Sequence, residues 1–131
     1  TAERALATRA LADVGGAIDH GELRRALRAV HDLGREVNRR LAATEPWRPA
    51  AAGGTAAREA HRELTRLLPL LDAIGVAAWP FVPGTAARVR ALQGRPPTPT
   101  RWALDPAPPL LPGPPAPPLR RPGRPGSRGI Q

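Results

Sequence analysis

Residues 22–43 read ELRRALRAVHDLGREVNRRLAA, and the period of their apolar side chains decides the fold. Leu23, Leu27, Val30, Leu33, Val37 and Leu41 recur at steps of three and four, which a helix of about 3.6 residues per turn gathers into one stripe. Arg24, Arg25, Arg28, Arg35 and Arg39 fall off that stripe, so the segment predicts an amphipathic helix with one face for a core and one for water. It stops in the run Thr44-Glu45-Pro46-Trp47-Arg48-Pro49, where two prolines forbid continuation, and Gly53 with Gly54 extends the break.

Upstream, Leu6, Ala10, Leu11, Val14 and Ile18 predict a helix from Ala2 to about Asp19, weakened near its end by Gly15 and Gly16. A turn at Asp19, His20 and Gly21 joins it to the central stretch. Downstream, Thr55 is placed to cap a second long helix whose Leu64, Leu67, Leu68, Leu71, Ile74 and Ala78 run to Trp79, with Arg58, Arg62 and Arg66 outward. Pro69 lies inside it and predicts a kink or short break, because proline removes one intrahelical bond and crowds the carbonyl of Thr65. After Pro80-Phe81-Val82-Pro83-Gly84, Thr85 is placed to cap a short helix through Val89 and Leu92, ended by Gly94. The expected fold is all-α: a helical bundle over residues 1–94, with two long antiparallel helices flanked by shorter ones. Residues 95–131 form a Pro/Gly/Arg-rich tail. It holds thirteen of the chain's 18 prolines, so it is expected to be extended or disordered.

Composition narrows the chemistry. The 131 residues include one Phe, three Trp and no Tyr, Met or Cys, so the core must be built from leucine and alanine. Every one of the 20 permanent side-chain cations is an arginine, which excludes lysine Schiff bases and phosphate-loop lysines. Without cysteine there is no disulfide framework, thiolate nucleophile or cysteine-type zinc site. The sequence has no apolar run long enough for a membrane span and no signal-peptide pattern, so the expected location is the cytoplasm. The formal net charge of +9 makes a polyanion such as nucleic acid a fitting partner.

Two conventional site patterns lose to plainer readings. Glu59 and Glu63 are one turn apart but stand among Arg58, Arg62 and Arg66, which makes them ion-paired surface. His31 and His61 lie on different helices with no third ligand positioned by spacing, so no metal is expected. What remains is Asn38 near the end of the central helix, then Pro46 and Trp47, with Arg39, Arg40 and Arg48 around them. An indole held by a preceding proline beside guanidinium groups has the parts of a base-stacking platform, while a Pro-Trp after a helix can equally plug the end of a bundle.

The order of these features carries a resemblance. ALRAVHDLGREVNRRLAATEPW (residues 26–47), a leucine-striped helix and WPFVPGTAARVRALQG (residues 79–94) together resemble the C-terminal anticodon-binding domain of methionyl-tRNA synthetases, which are class I aminoacyl-tRNA synthetases. In that family an asparagine in the first of these helices is followed by a Pro-Trp pair, and a Pro-Phe-x-Pro turn opens the last short helix. The resemblance implies that Trp47 stacks on an anticodon base, that Pro46 fixes its approach and that Asn38 shares the anticodon-facing surface; from their charge, Arg40 and Arg48 beside them are expected to contact RNA phosphates. Two residues after the asparagine the family usually has an aromatic, and this chain has Arg40. The catalytic signatures are absent and no cofactor is expected here, ATP belonging to the parent enzyme's catalytic domain. The chain is thus expected to be a fragment of a synthetase or a shortened paralogue, its opening threonine favouring a fragment, with methionine tRNA as partner. Trp102 and the Pro118-Leu119-Arg120 region are similar to a family tail that folds back on the catalytic domain. The rival reading is a non-catalytic interaction protein whose tail, around Pro114 to Pro118, binds a protein partner.

Overall fold

The computed structural model describes residues 1–106. Five helices follow in order: α1 (Ala2–Asp19), α2 (Leu23–Thr44), α3 (Trp47–Ala52), α4 (Gly54–Ala77) and α5 (Pro83–Leu92). The described residues are mostly helical and contain no strand, so the protein is all-α. Helices α1, α2 and α4 pack against one another in all three pairings, and α3 and α5 each lie on α4.

The core is small-sided, as the composition requires. Ala7, Leu11, Val14 and Ala17 from α1 meet Ala26, Leu33 and Val37 from α2 and Leu67, Leu70, Ala73, Val76 and Ala77 from α4. Leu23 and Leu27, expected on the core stripe of α2, are instead exposed. Ala26 takes the buried position, and the two leucines lie about 60° and 100° round the helix from it. An alanine there permits a closer approach of the neighbouring helix than either leucine would.

Several local expectations are corrected. The two prolines after α2 do not leave a loop: Pro46 is the N-cap of α3 and Pro49 falls in its first turn, where the missing N–H has no intrahelical partner to lose. Thr55 does not cap α4, which starts at Gly54 behind Gly53, and Thr85 lies inside α5, whose N-cap is Val82. The predicted break at Pro69 is not seen, because α4 runs through it from Gly54 to Ala77. Helix α1, by contrast, spans Ala2–Asp19 as expected, running through Gly15 and Gly16.

The packed body also extends past residue 94, the expected boundary. Asp72 of α4, only 2% exposed, gathers this stretch: its Oδ2 accepts the backbone N–H of Asp105 at 3.2 Å and faces Arg95 at 3.5 Å, and Oδ1 faces Arg90 at 3.9 Å. Arg90 in turn donates from Nε to the Pro96 carbonyl at 2.7 Å. Further along, the Trp102 indole N–H donates to the Leu11 carbonyl at 2.7 Å, and Leu104 enters the core. Residues 95–106 therefore form a strap over α1, α4 and α5. The rest of the tail, residues 107–131, with the Pro114–Pro118 and Pro118-Leu119-Arg120 stretches, lies outside the described residues.

Gly15 explains how the strap reaches α1. A Cβ at Gly15 would stand 2.8 Å from the Trp102 indole nitrogen, whereas one at Gly16 would meet nothing within 4 Å. The two glycines should therefore respond oppositely to alanine. Gly16→Ala is expected to raise stability by about 0.5–1 kcal/mol through helix propensity, and Gly15→Ala to lower it while moving the Trp102 emission to the red. Thermal unfolding followed by tryptophan fluorescence checks this, and equal gains at both positions would contradict the placement of Trp102.

Candidate nucleic-acid interface

The carboxyl end of α2 is closed by Glu45, whose φ of 40° and ψ of 52° place it in the left-handed region. A non-glycine residue is costly there, and such strain gathers at places where the chain must turn in a set direction. The Glu45 N–H still donates to the Leu41 carbonyl at 2.9 Å, completing the last turn of α2. The reversal delivers Pro46 into a buried position and puts Trp47 at the first position of α3. The indole is 55% exposed. Of the two readings of the Pro-Trp pair, the proline is the plug and the tryptophan is presented to solvent.

The other expected residues differ in how they are engaged. Asn38 is exposed on α2, about 9 Å of helix axis before Thr44. Arg48 is exposed and lies 3.2 Å from the Glu45 carboxylate. Arg40 is different. Its Nε donates to Glu36 at 2.7 Å and its Nη1 to Glu3 of α1 at 3.2 Å, so its guanidinium fastens α2 to the start of α1. At that position it orients the helix that carries Asn38. Arg39 donates to Glu36 as well, through Nε at 2.9 Å and Nη2 at 2.7 Å.

Glu36 is thus the acceptor for two guanidinium groups. The hydrogen bonds from Arg39, then from Arg40, hold its carboxyl at about 2, down from an ordinary 4.5, and they raise Arg39 above its usual value. Sequence inspection missed this unit because its members are spaced three and four residues apart like any surface pair, and Glu3 joins from another helix. Glu63, one of the two acids read as ion-paired surface, lies 3.0 Å from Arg66.

Beside this end of α2 lies an apolar cleft of about 310 Å³ between α2, α4 and α5, walled by Val37, Leu41, Leu64, Leu68, Leu71 and Leu92. Its lining has almost no polar group to orient a ligand. Among the described residues no three His, Cys, Asp or Glu side chains come together as a metal site, and no helix is long and apolar enough to cross a membrane. What the arrangement offers is a flat apolar ring, an amide and guanidinium groups.

The depressed Glu36 fixes a sign for acid behaviour. A carboxyl held below its unfolded value contributes stability that is complete above about pH 4.5 and is lost as pH falls through about 2. The melting temperature of the wild type should therefore fall more steeply between those values than that of Glu36→Gln. Parallel pH profiles for the two proteins would show that the Arg39 and Arg40 contacts do not persist in solution.

No family model matches the chain, and neither a curated protein nor a solved structure is found to be similar to it.

Proposed function

We propose that this protein is an RNA-binding module that takes the anticodon loop of a tRNA, of the kind found at the carboxyl end of methionyl-tRNA synthetases. The observation that carries the reading is the exposed Trp47 indole at the head of α3, set on the buried Pro46 and delivered there by the left-handed Glu45. A ring of that size left in water at a rigid helix start offers a stacking face that any base can occupy. Asn38 supplies an amide donor and acceptor at the adjacent end of α2, and Arg48 a cation for phosphate. Arg40 acts indirectly, by holding α2 against α1 through Glu36 and Glu3. Asn38 together with Pro46-Trp47 is what favours methionine tRNA within this class, the Pro80-Phe81-Val82-Pro83 turn being shared with related synthetases. In the parent enzyme the ATP-dependent attachment of methionine belongs to a separate catalytic domain, so this part contributes selection of the tRNA.

The test is a titration of the full chain with a methionine-tRNA anticodon stem-loop. Replacing Trp47 with alanine should weaken binding by about 1–3 kcal/mol, the worth of one base stacked on an aromatic ring. Arg48→Gln should act mainly by flattening the salt dependence. Unchanged affinity in Trp47→Ala, or equal affinity for a loop of scrambled anticodon, would overturn the assignment.

A further inference from the structure

The apolar cleft of about 310 Å³ between α2, α4 and α5 stays open among the described residues, and Leu92 on its wall is 66% exposed. Single leucines in water are ordinary, but Leu41, Leu64, Leu68, Leu71 and Leu92 border one slot, and an uncovered apolar patch rather than a scatter of residues marks a contact site. Gln93 stands in the same lining. Its Nε2 donates to the Val89 carbonyl at 3.3 Å, which settles the two ends of the amide, and its Oε1 is buried and accepts no hydrogen bond among the described residues. A buried acceptor without a donor is costly and rare, so the slot suits an occupant that is apolar and brings an N–H or O–H. Its volume is at the small end of the ~300–1,000 Å³ range of ligand clefts, which fits a short extended segment better than a helix.

We infer that the occupant is the chain's own segment Pro108-Pro109-Leu110-Leu111-Pro112, which lies outside the described residues and seats its two leucines in the cleft. The described chain ends at Pro106, one residue after the Asp105 N–H that donates to Asp72. Leu68, a wall of the cleft, precedes Asp72 by one turn on the same face of α4, with ~5–6 Å between their Cβ atoms. Leu110 follows Pro106 by four residues, and at ~3.1 Å per residue in an extended proline-rich strand about 12 Å of chain is available to reach the slot. After Pro106 the large apolar residues are Leu110, Leu111, Leu119 and Ile130, of which only the first two are adjacent. The three prolines beside them carry no N–H, so the segment takes just two backbone donors, those of Leu110 and Leu111, into a slot whose spare acceptor is Gln93. Proline also restricts the segment before it seats, which lowers the entropy lost on ordering. A tether this short sets an effective concentration on the order of millimolar, an advantage that a second copy or a foreign chain of the same chemistry lacks. The inference does not rest on the role given to Trp47.

The sequence contains no cysteine, so Gly113→Cys gives the full chain a single attachment point for a nitroxide spin label, one residue past the segment. The readout is the loss of leucine and valine methyl signals close to the label. Leu64, Leu68 and Leu92 are expected to lose most of their intensity, while Leu23 and Leu27, roughly 21 Å or more along α2 from Leu41, keep theirs. Adding Leu110→Ser/Leu111→Ser should restore the cleft signals, and adding Leu119→Ser should not. Both changes leave every core side chain as it is, so the reporting methyls stay in place. Cleft signals at full strength in the labelled chain, equal losses at Leu23 and Leu92, or losses that survive Leu110→Ser/Leu111→Ser would each overturn the inference. A mixture of spin-labelled chain at natural isotope abundance with isotope-labelled wild type tests the rival occupant: loss at the wild-type cleft there would overturn the inference in favour of a second copy.

Discussion

Helix α4 touches each of the other four helices, and it can do so because its inner face alternates leucine with very small residues. Ala60, Ala73, Gly75 and Ala77 let neighbours come close where Leu67, Leu68 and Leu70 fill the space between them. A chain with one phenylalanine and no methionine has few other ways to reach interior packing density. Gly75 shows the constraint at its tightest: a Cβ there would stand 2.7 Å from Cγ of Arg90, so α5 could not lie where it does. That approach is what brings the Arg90 guanidinium beside Asp72, and Asp72 in turn anchors the strap. The placement of α2 follows from the same spine, since its buried residues close against α4 and α1 together.

Charge is divided within this frame. One buried carboxylate organises Arg90 and Arg95, one surface carboxylate organises Arg39 and Arg40, and the remaining arginines of α2 are left toward water. Buried or shared pairs of this sort contribute geometry more than net stability, because desolvation offsets much of the attraction. Their use here is directional. Arg40, held by Glu36, ties this part of α2 to Glu3 of α1, and the left-handed Glu45 then turns the chain where Pro46 is buried and Trp47 is not.

Apolar period places α1 and α2 within a few residues through Leu6 to Ile18 and Leu23 to Leu41, and marks the later parts of α4 and α5 through Leu64 to Ala78 and Val89 to Leu92, their starts falling near Thr55 and Thr85. Their rotation was less legible. Leu23 and Leu27 fit the stripe as well as Leu33 does, and only the close packing at Ala26 decides against them. Helix α3 was hidden by its prolines, which read as breakers although the first turn of a helix accepts them. The strap was hidden by composition, since proline-rich sequence looks unstructured until Trp102 finds the Leu11 carbonyl, approached over Gly15 of α1. At the candidate site, Pro46 and Trp47 could be singled out as residues, but not which of the two would be buried. Arg40 was expected on the RNA surface and is held by Glu36 and Glu3, a contact that depends on the path of α1 and so has no signature in local spacing.

The α2–α3 corner is proposed to meet an RNA loop through the Trp47 ring. A chemical-shift titration of the isotope-labelled chain with a methionine-tRNA anticodon stem-loop tests it most directly. The Trp47 indole N–H and the Asn38 side-chain amide are expected to move first and furthest, while the Trp102 indole, bonded to the Leu11 carbonyl, stays in place. Shifts spread over the arginines with the Trp47 indole unmoved would contradict it.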